Sequence, residues 1–371
     1  MSYLEKLLEG VEVEWSSLGD STFIEIANSG RTPVKASERI PGNVPYYGAN
    51  NIQDYVEGYT HEGEYVLIAE DGTQSIENYS IQWATGKFWA NNHVHVLRGT
   101  DKINSRFIFH YLRTVNFIPF LSGGDRAKLT KAKLAKIPIP IPPLSVQKEI
   151  VRILDSFTEL TAELTAELTA RKKQYNYYRE QLLSFEDGEV EWKTLGEVAL
   201  IGTGKHDTQD AVDNGDYIFY ARGISPLKLD TYDFEETAII TAGDGVGVGK
   251  VFHWAVGKYA LHQRAYRIVP NEKEINPRYV YHYIVTNFYS YIEKTSVSSS
   301  VTSMRKPMFL KFPIPIPPLE EQERIVSILD KFDTLTSSIS EGLPKEIELR
   351  KKQYEYYRDM LLTFPKENTE I

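Results

Sequence analysis

The chain contains no cysteine, which removes disulfides, thiolate metal sites and cysteine nucleophiles in one step. It also lacks any apolar run near the length of about eighteen residues that a membrane helix needs; the best are residues 65–69 and 238–242. No basic stretch followed by an apolar one opens the sequence, so secretion is not supported and a cytoplasmic location is expected. Catalytic signatures are missing as well. There is no Gly-x-Ser-x-Gly elbow and no Asn-Pro-Pro-Tyr or Asp-Pro-Pro-Tyr, the tetrapeptide that amino-methylating enzymes place beside a flipped base. The run Gly243-Asp244-Gly245-Val246-Gly247-Val248-Gly249-Lys250 is not a phosphate loop: that loop needs glycine at 244 and a hydroxyl residue at 251, where aspartate and valine stand. It reads as a turn between two strands that brings Lys250 and backbone donors near a phosphate. His93 and His95 lie two apart without a carboxylate at ligand spacing, so no metal site is expected.

Charge is present but uneven. The net charge of −9 argues against a polyanionic partner until its distribution is followed. Residues 1–85 hold four basic and fourteen acidic side chains, and residues 86–136 hold ten and two. The swing repeats, with four against ten over 193–249 and ten against three over 250–311. A single basic block is commonly just a solvated face. The same swing twice points to two local docking surfaces, because local potential decides where a polyanion binds.

The sequence repeats itself. Ile137-Pro138-Ile139-Pro140-Ile141-Pro142-Pro143-Leu144 returns as Phe312-Pro313-Ile314-Pro315-Ile316-Pro317-Pro318-Leu319. Gln147, Ile150, Leu154, Asp155 and Phe157 recur as Gln322, Ile325, Leu329, Asp330 and Phe332, and Arg171-Lys172-Lys173-Gln174-Tyr175 recurs as Arg350-Lys351-Lys352-Gln353-Tyr354. Val13-Glu14-Trp15 and Leu18-Gly19 return as Val190-Glu191-Trp192 and Leu195-Gly196. The chain is two tandem copies of one unit.

Each copy begins with β-rich runs punctuated by Gly, Asn and Asp, plus one helix (near 105–114 and 277–286), the pattern of a mixed α/β domain. The proline run should be a stiff extended exit from it. A long helix follows, with apolar residues at 150, 153/154, 157, 160, 164, 168, 175, 178 and 182, one coiled-coil seam broken at Arg171. Forty such residues span roughly 60 Å. The second helix is expected to keep the seam at Ile325, Leu329, Phe332, Leu335 and Ile339, then to kink or break at Gly342 and Pro344. Phe157, Leu164, Leu168, Tyr175, Tyr178, Phe332, Leu335, Tyr354 and Tyr357 are the candidate packing positions. A lone amphipathic helix would leave its seam wet, so the two should pair, antiparallel, about a pseudo-twofold axis.

The basic segments supply the candidate DNA contacts. Arg126, Lys128, Lys131 and Lys133 precede the first proline run, and Ser299, Ser303, Arg305 and Lys306 precede the second; small, hydroxylated and basic residues suit a phosphate backbone. Asn91-Asn92-His93 aligns with His262-Gln263-Arg264, side chains of the kind that read base edges. That these differ between matching copies is what two different half-sites require. Surface loops that drifted apart are the competing explanation.

Taken together, the doubled proline-helix segment, the doubled Arg-Lys-Lys-Gln-Tyr-x-Tyr-Tyr-Arg and the Thr-Ala-Glu-Leu repeat at 160–170 resemble the specificity subunits of type I restriction–modification systems, over nearly the whole chain. The resemblance implies an α+β architecture. Two globular mixed α/β target-recognition domains (1–143 and 187–318) would be separated by two long antiparallel coiled-coil helices (144–186 and 319–364), with a tail at 365–371. It implies a non-catalytic subunit whose domains each read half of a bipartite, asymmetric site in double-stranded DNA. Two modification subunits would methylate adenine with S-adenosylmethionine, and restriction subunits would use ATP and Mg2+; no cofactor or metal is assigned to this chain. A coiled-coil scaffold with two protein-binding heads is the alternative.

Overall fold

In a computed structural model the described residues are 3–123, 127–186, 188–245, 247–295 and 303–365. They form two compact units: Met1–Leu164 with Glu346–Ile371, and Thr165–Lys345.

The first unit opens with α1 (Tyr3–Leu7) and β1 (Glu14–Ser17), followed by β2 (Ile24–Ile26), β3 (Pro41–Tyr47), β4 (Ile52–Val56), β5 (His61–Ala69), β6 (Ile81–Ala90) and β7 (Val94–Gly99). Then come α2 (Ser105–Leu112), α3 (Lys131–Leu134), β8 (Pro138–Ile141) and the 39-residue helix α4 (Leu144–Leu182). Strands β2-β7-β5-β6-β3-β4 make one sheet, in that order, antiparallel throughout except at β3–β6. The apolar run at 65–69 is the central strand. Val66 and Ile68 enter the core under α2, while Tyr65 and Leu67 enter a second cluster with Tyr47, Phe88 and Val96. Burial on both faces hides the period of two.

The second unit repeats the plan with β9 (Glu191–Thr194), α5 (Leu195–Val198), β10 (Ala199–Thr203), β11 (Tyr217–Tyr220), β12 (Leu227–Leu229), β13 (Phe234–Ala242), β14 (Phe252–Leu261) and β15 (Ala265–Pro270). After these come α6 (Pro277–Thr295), α7 (Lys306–Leu310), β16 (Pro313–Ile316) and α8 (Leu319–Ser337); α9 (Gly342–Leu362) follows and from Glu346 on belongs to the first unit. Its sheet order, β10-β15-β13-β14-β11-β12, is the first order element for element, with β11–β14 as the parallel pair.

The proline runs are extended, but they are strands rather than free exits. β8 pairs antiparallel with β1, Pro138 opposite Ser17 and Ile141 opposite Glu14, and β16 pairs likewise with β9. Alternating proline leaves amide donors in β8 only at Ile139 and Ile141, on one edge, so each ribbon stops at two strands. The doubled Leu-Gly is explained beside it. Leu18 and Leu195 are fully buried, and a Cβ on Gly19 or Gly196 would lie within 3 Å of Ala135 or Leu310.

Each sheet is fixed to helix by the same polar joint. Asn104 caps α2 by accepting from the amides of Arg106 and Phe107, and Asn276 accepts from those of Arg278 and Tyr279. Gln147, completely buried, donates to Pro142 O at 2.7 Å and accepts from the Asn104 amide at 2.8 Å. Gln322 does the same with Pro317 and Asn276. About two turns on, Asp155 Oδ1 accepts from Arg106 Nε and His110 Nε2, both at 2.8 Å. Asp330 accepts from Arg278 and His282 at 2.7 Å.

The helical repeat pairs as expected within each unit. In the first, α2 meets Gln147 and then Asp155 of α4 as it proceeds, but Phe364 and then Tyr354 beyond and within α9. α4 and α9 therefore run antiparallel there, and Phe157 stacks on Tyr357 with centroids 5.2 Å apart. In the second, Phe332 of α8 stacks on Tyr175 and Tyr178 of α4. Each unit thus joins the start of one copy's helix to the tyrosine-rich end of the other's. Leu164, Leu168 and Leu335 are half-buried. The expected break occurs between α8 and α9, with Gly342 at φ 78° and Pro344 in the first turn, where its missing N–H is harmless. Ile339, expected in the seam, falls in this break and is 85% exposed; the seam stops before it. α6 continues to Thr295, past the expected end near 286.

Candidate nucleic-acid interface

In the first head, three connections that are remote in sequence meet beyond the ends of β5 and β6. Asp71 follows β5, residues 91–93 join β6 to β7, and residues 127–130 precede α3. Lys128 makes an isolated antiparallel bridge to Asp71. Its Nζ lies 3.1 Å from Glu70 and 3.8 Å from Asp71, while His93 Nδ1 is 2.5 Å from Asp71 Oδ1.

The layer beneath is fully committed. Arg31 donates to Glu70 at 2.6 Å and to Val94 O at 2.8 Å. Burial raises the Glu70 carboxyl, but bonds from Arg31 and Lys128 outweigh it and leave the group below its usual value. His95, fully buried, donates from Nε2 to Leu129 O at 2.6 Å and accepts at Nδ1 from Asn28. Burial depresses its pKa, so the neutral tautomer that satisfies both partners is the resident one.

The second head is built to the same plan. Asp244 follows β13 and bridges antiparallel to Ser303, as Asp71 does to Lys128. The Met304 amide donates to Gly243 O and the Leu129 amide to Glu70 O, each at 2.7 Å. His262 N donates to Tyr220 O as Asn91 N does to Tyr47 O. His262 Nδ1 accepts from the Arg264 amide as Asn91 Oδ1 accepts from that of His93. The two aligned triplets are therefore one turn in two copies. Asn91 and His262 are its buried pins, at 4% and 1% exposure. Asn92, His93, Gln263 and Arg264 are its exposed part, with Gln263 donating to Asp207 at 2.9 Å.

Asp244 differs from Asp71 in its partners: it accepts from Arg222 at 2.9 Å and from Arg264 at 3.0 Å. Burial opposes ionisation of Asp244, and the two guanidinium bonds overcome it and hold the carboxyl below the ordinary range.

The remaining candidates are spread around these ends. Lys131 is exposed and Lys133 half-buried on α3, and Arg305 and Lys306 are exposed at the start of α7. Lys250 Nζ sits 4.9 Å from the centre of the Tyr289 ring. The glycine-rich run is a β13–β14 turn closed by Lys250 N to Gly247 O. Gly249 lies so close to α6 that a Cβ would be 2.5 Å from Ile292, which accounts for at least that glycine by packing. Arg126 and Ser299 fall outside the described residues. Some of the basic charge is also turned onto the acidic segments of the same head, as Arg98–Glu25, Lys128–Glu70 and Arg267–Glu236 show. Part of the charge swing in sequence is internal pairing.

Sequence reasoning missed Asp71, Asp244, Arg31, Glu70 and Arg222. An Asp-Gly after a strand reads as a plain turn. The available signal was that Asp71-Gly72 and Asp244-Gly245 stand at corresponding places in the two copies.

Two sheets of one topology, each ending in a polar cluster that differs between the copies and each tied to helix by one repeated joint, define a duplicated protein with two corresponding surface sites. The family model for the type I restriction modification DNA specificity domain matches twice, at residues 11–171 and 188–349, and the chain belongs to that family. It is 50% identical to a putative type I restriction enzyme specificity subunit of Haemophilus influenzae, S.HindORF215P, over 98% of both chains. With the EcoR124I/EcoR124II specificity subunit of Escherichia coli it shares 39% identity, over 100% of this chain and 98% of that one. Among solved structures, the S subunit of a type I restriction–modification system from M. genitalium has the same fold (TM-score 0.69, 15% identity, 99% and 100% of the two chains). Among the described residues no helix is long and apolar enough to cross a membrane.

Proposed function

We propose that this chain is the non-catalytic, DNA-reading subunit of a type I modification and restriction assembly. Each head reads one half of a bipartite, asymmetric site in double-stranded DNA. The helices set the unread spacer and dock two modification subunits, which methylate adenine with S-adenosylmethionine. Restriction subunits that consume ATP with Mg2+ complete the assembly, and this chain itself holds no cofactor.

One observation carries the reading: two heads of identical topology present the same carboxylate post with different side chains on it, His93 and Lys128 in one, Arg222 and Arg264 in the other. A common scaffold with exchanged tips is what two unlike half-sites need. Family membership weighs against the protein-binding scaffold.

The test is DNA affinity of the chain copurified with its modification partner, measured against salt. The expected result is log affinity falling linearly with log salt, with specific sites bound far more tightly than random duplex. Affinity indifferent to salt and sequence would favour the scaffold.

A further inference from the structure

The Arg222–Asp244–Arg264 cluster is placed by two loops of the second head. Arg222 lies in the connection from β11 to β12 and Arg264 in the turn between β14 and β15. Their side chains are 42% and 63% exposed, while Asp244 between them is 22% exposed. Each guanidinium uses Nη1 on the carboxylate and, among the described residues, its side chain makes no other hydrogen bond. The Nε–Nη2 edge of each, a pair of parallel donors on a largely exposed side chain, has no hydrogen-bond partner among the described residues.

That geometry suits one acceptor class above others. Guanine offers O6 and N7 side by side in the major groove, the pair an arginine edge matches. A phosphate grip needs charge more than orientation, and a carboxylate shared by two guanidiniums spends half of that charge on holding them still. The first head has the carboxylate without the guanidiniums: Asp71 carries His93 and Lys128, neither of which offers two parallel donors.

We infer that Arg222 and Arg264, oriented by Asp244, form a guanine-reading site in the second head, so that its half-site contains at least one G·C pair read in the major groove. Asp244 acts as a positioning residue. This rests on the DNA-reading function proposed above.

The full chain is coexpressed with its modification partner, and methylated sites are mapped for the wild type, Arg222→Ala, Arg264→Ala, Arg264→Lys and Asp244→Asn. Each arginine-to-alanine change should relax discrimination at a G·C pair of one half-site by roughly 5- to 150-fold, leaving the other half-site and the spacer intact. Arg264→Lys should weaken the same discrimination while keeping total methylation, because an ammonium holds a phosphate but lacks the rigid pair of parallel donors. Asp244→Asn should weaken discrimination at both arginine positions together. Unchanged half-sites in the variants, or a wild-type recognition sequence without a G·C pair in the half they alter, would overturn the inference alone. A wild-type complex that methylates without sequence preference would instead overturn the underlying functional reading, and this site with it.

Discussion

Replacing Asp155 by alanine should loosen the first head from its helix, and the geometry sets the size of the effect. One oxygen, Oδ1, accepts from both Arg106 Nε and His110 Nε2. The Arg106 side chain is 18% exposed and that of His110 is 0% exposed. Alanine therefore strands a fully buried N–H, costing about 1–3 kcal/mol. It also removes the partner of a poorly solvated guanidinium, where breaking a buried pair costs about 3–5 kcal/mol. Asp155 is 27% exposed, so water repays part of this, and the total should be about 3 kcal/mol. For a unit of this size that is a fall in Tm of about 6–12 °C. Asp155→Asn keeps an oxygen able to accept both bonds and should cost only about 1 kcal/mol. Urea and thermal unfolding of the full chain measure the totals, and hydrogen exchange locates the loss in α2 and the first turns of α4. A cost below about 0.5 kcal/mol for alanine, or equal costs for alanine and asparagine, would refute the joint as described.

Two other outcomes follow from the same features. Burial depresses the His110 pKa, and the bonds from His110 and Arg106 leave Asp155 below its usual value although burial opposes them. In both cases the unfolded chain takes up a proton that the folded unit resists. Stability of the first unit is therefore full above about pH 6.5, falls as His110 is forced to protonate below that, and falls again through the carboxylate range; pH-dependent melting curves that stay flat from 7.5 to 5 would contradict this. Deleting Thr161–Leu164 removes one Thr-Ala-Glu-Leu step from α4, about 6 Å of helix. Methylation mapping should then show a shorter spacer between two unchanged half-sites; an altered half-site with the old spacer would count against the helix as ruler.

Much of this architecture was legible from self-comparison, and the reason is physical. Gln147 and Gln322, or Asp155 and Asp330, recur because each makes bonds in a joint that is built twice, so both copies need the same side chain. The heads' half of that joint was equally readable: Asn104, Arg106 and His110 match Asn276, Arg278 and His282, an Asn at the helix start followed by an Arg–His pair four residues apart on one helix face. The helix break at Gly342 was legible, but Ile339 was misread because an apolar residue at the right interval says nothing about whether helix persists to hold it. The site was less accessible. His93, Asp71 and Lys128 come from three connections, and only the sheet order brings them together. Asn91 and His262 look like base-reading side chains in sequence, but their oxygen or nitrogen is bound to the amide two residues on. The Pro-x-Pro runs were read as extended but not as strands, since pairing depends on a partner segment more than a hundred residues away.

Mapping methylated bases in DNA from cells that coexpress this chain with its modification partner is the most direct examination of the account. A single motif made of two dissimilar short sequences, separated by a fixed number of unread base pairs and carrying one methylated adenine on each strand, is the predicted result. A continuous or palindromic motif, or methylation unaffected by the presence of this chain, would contradict it.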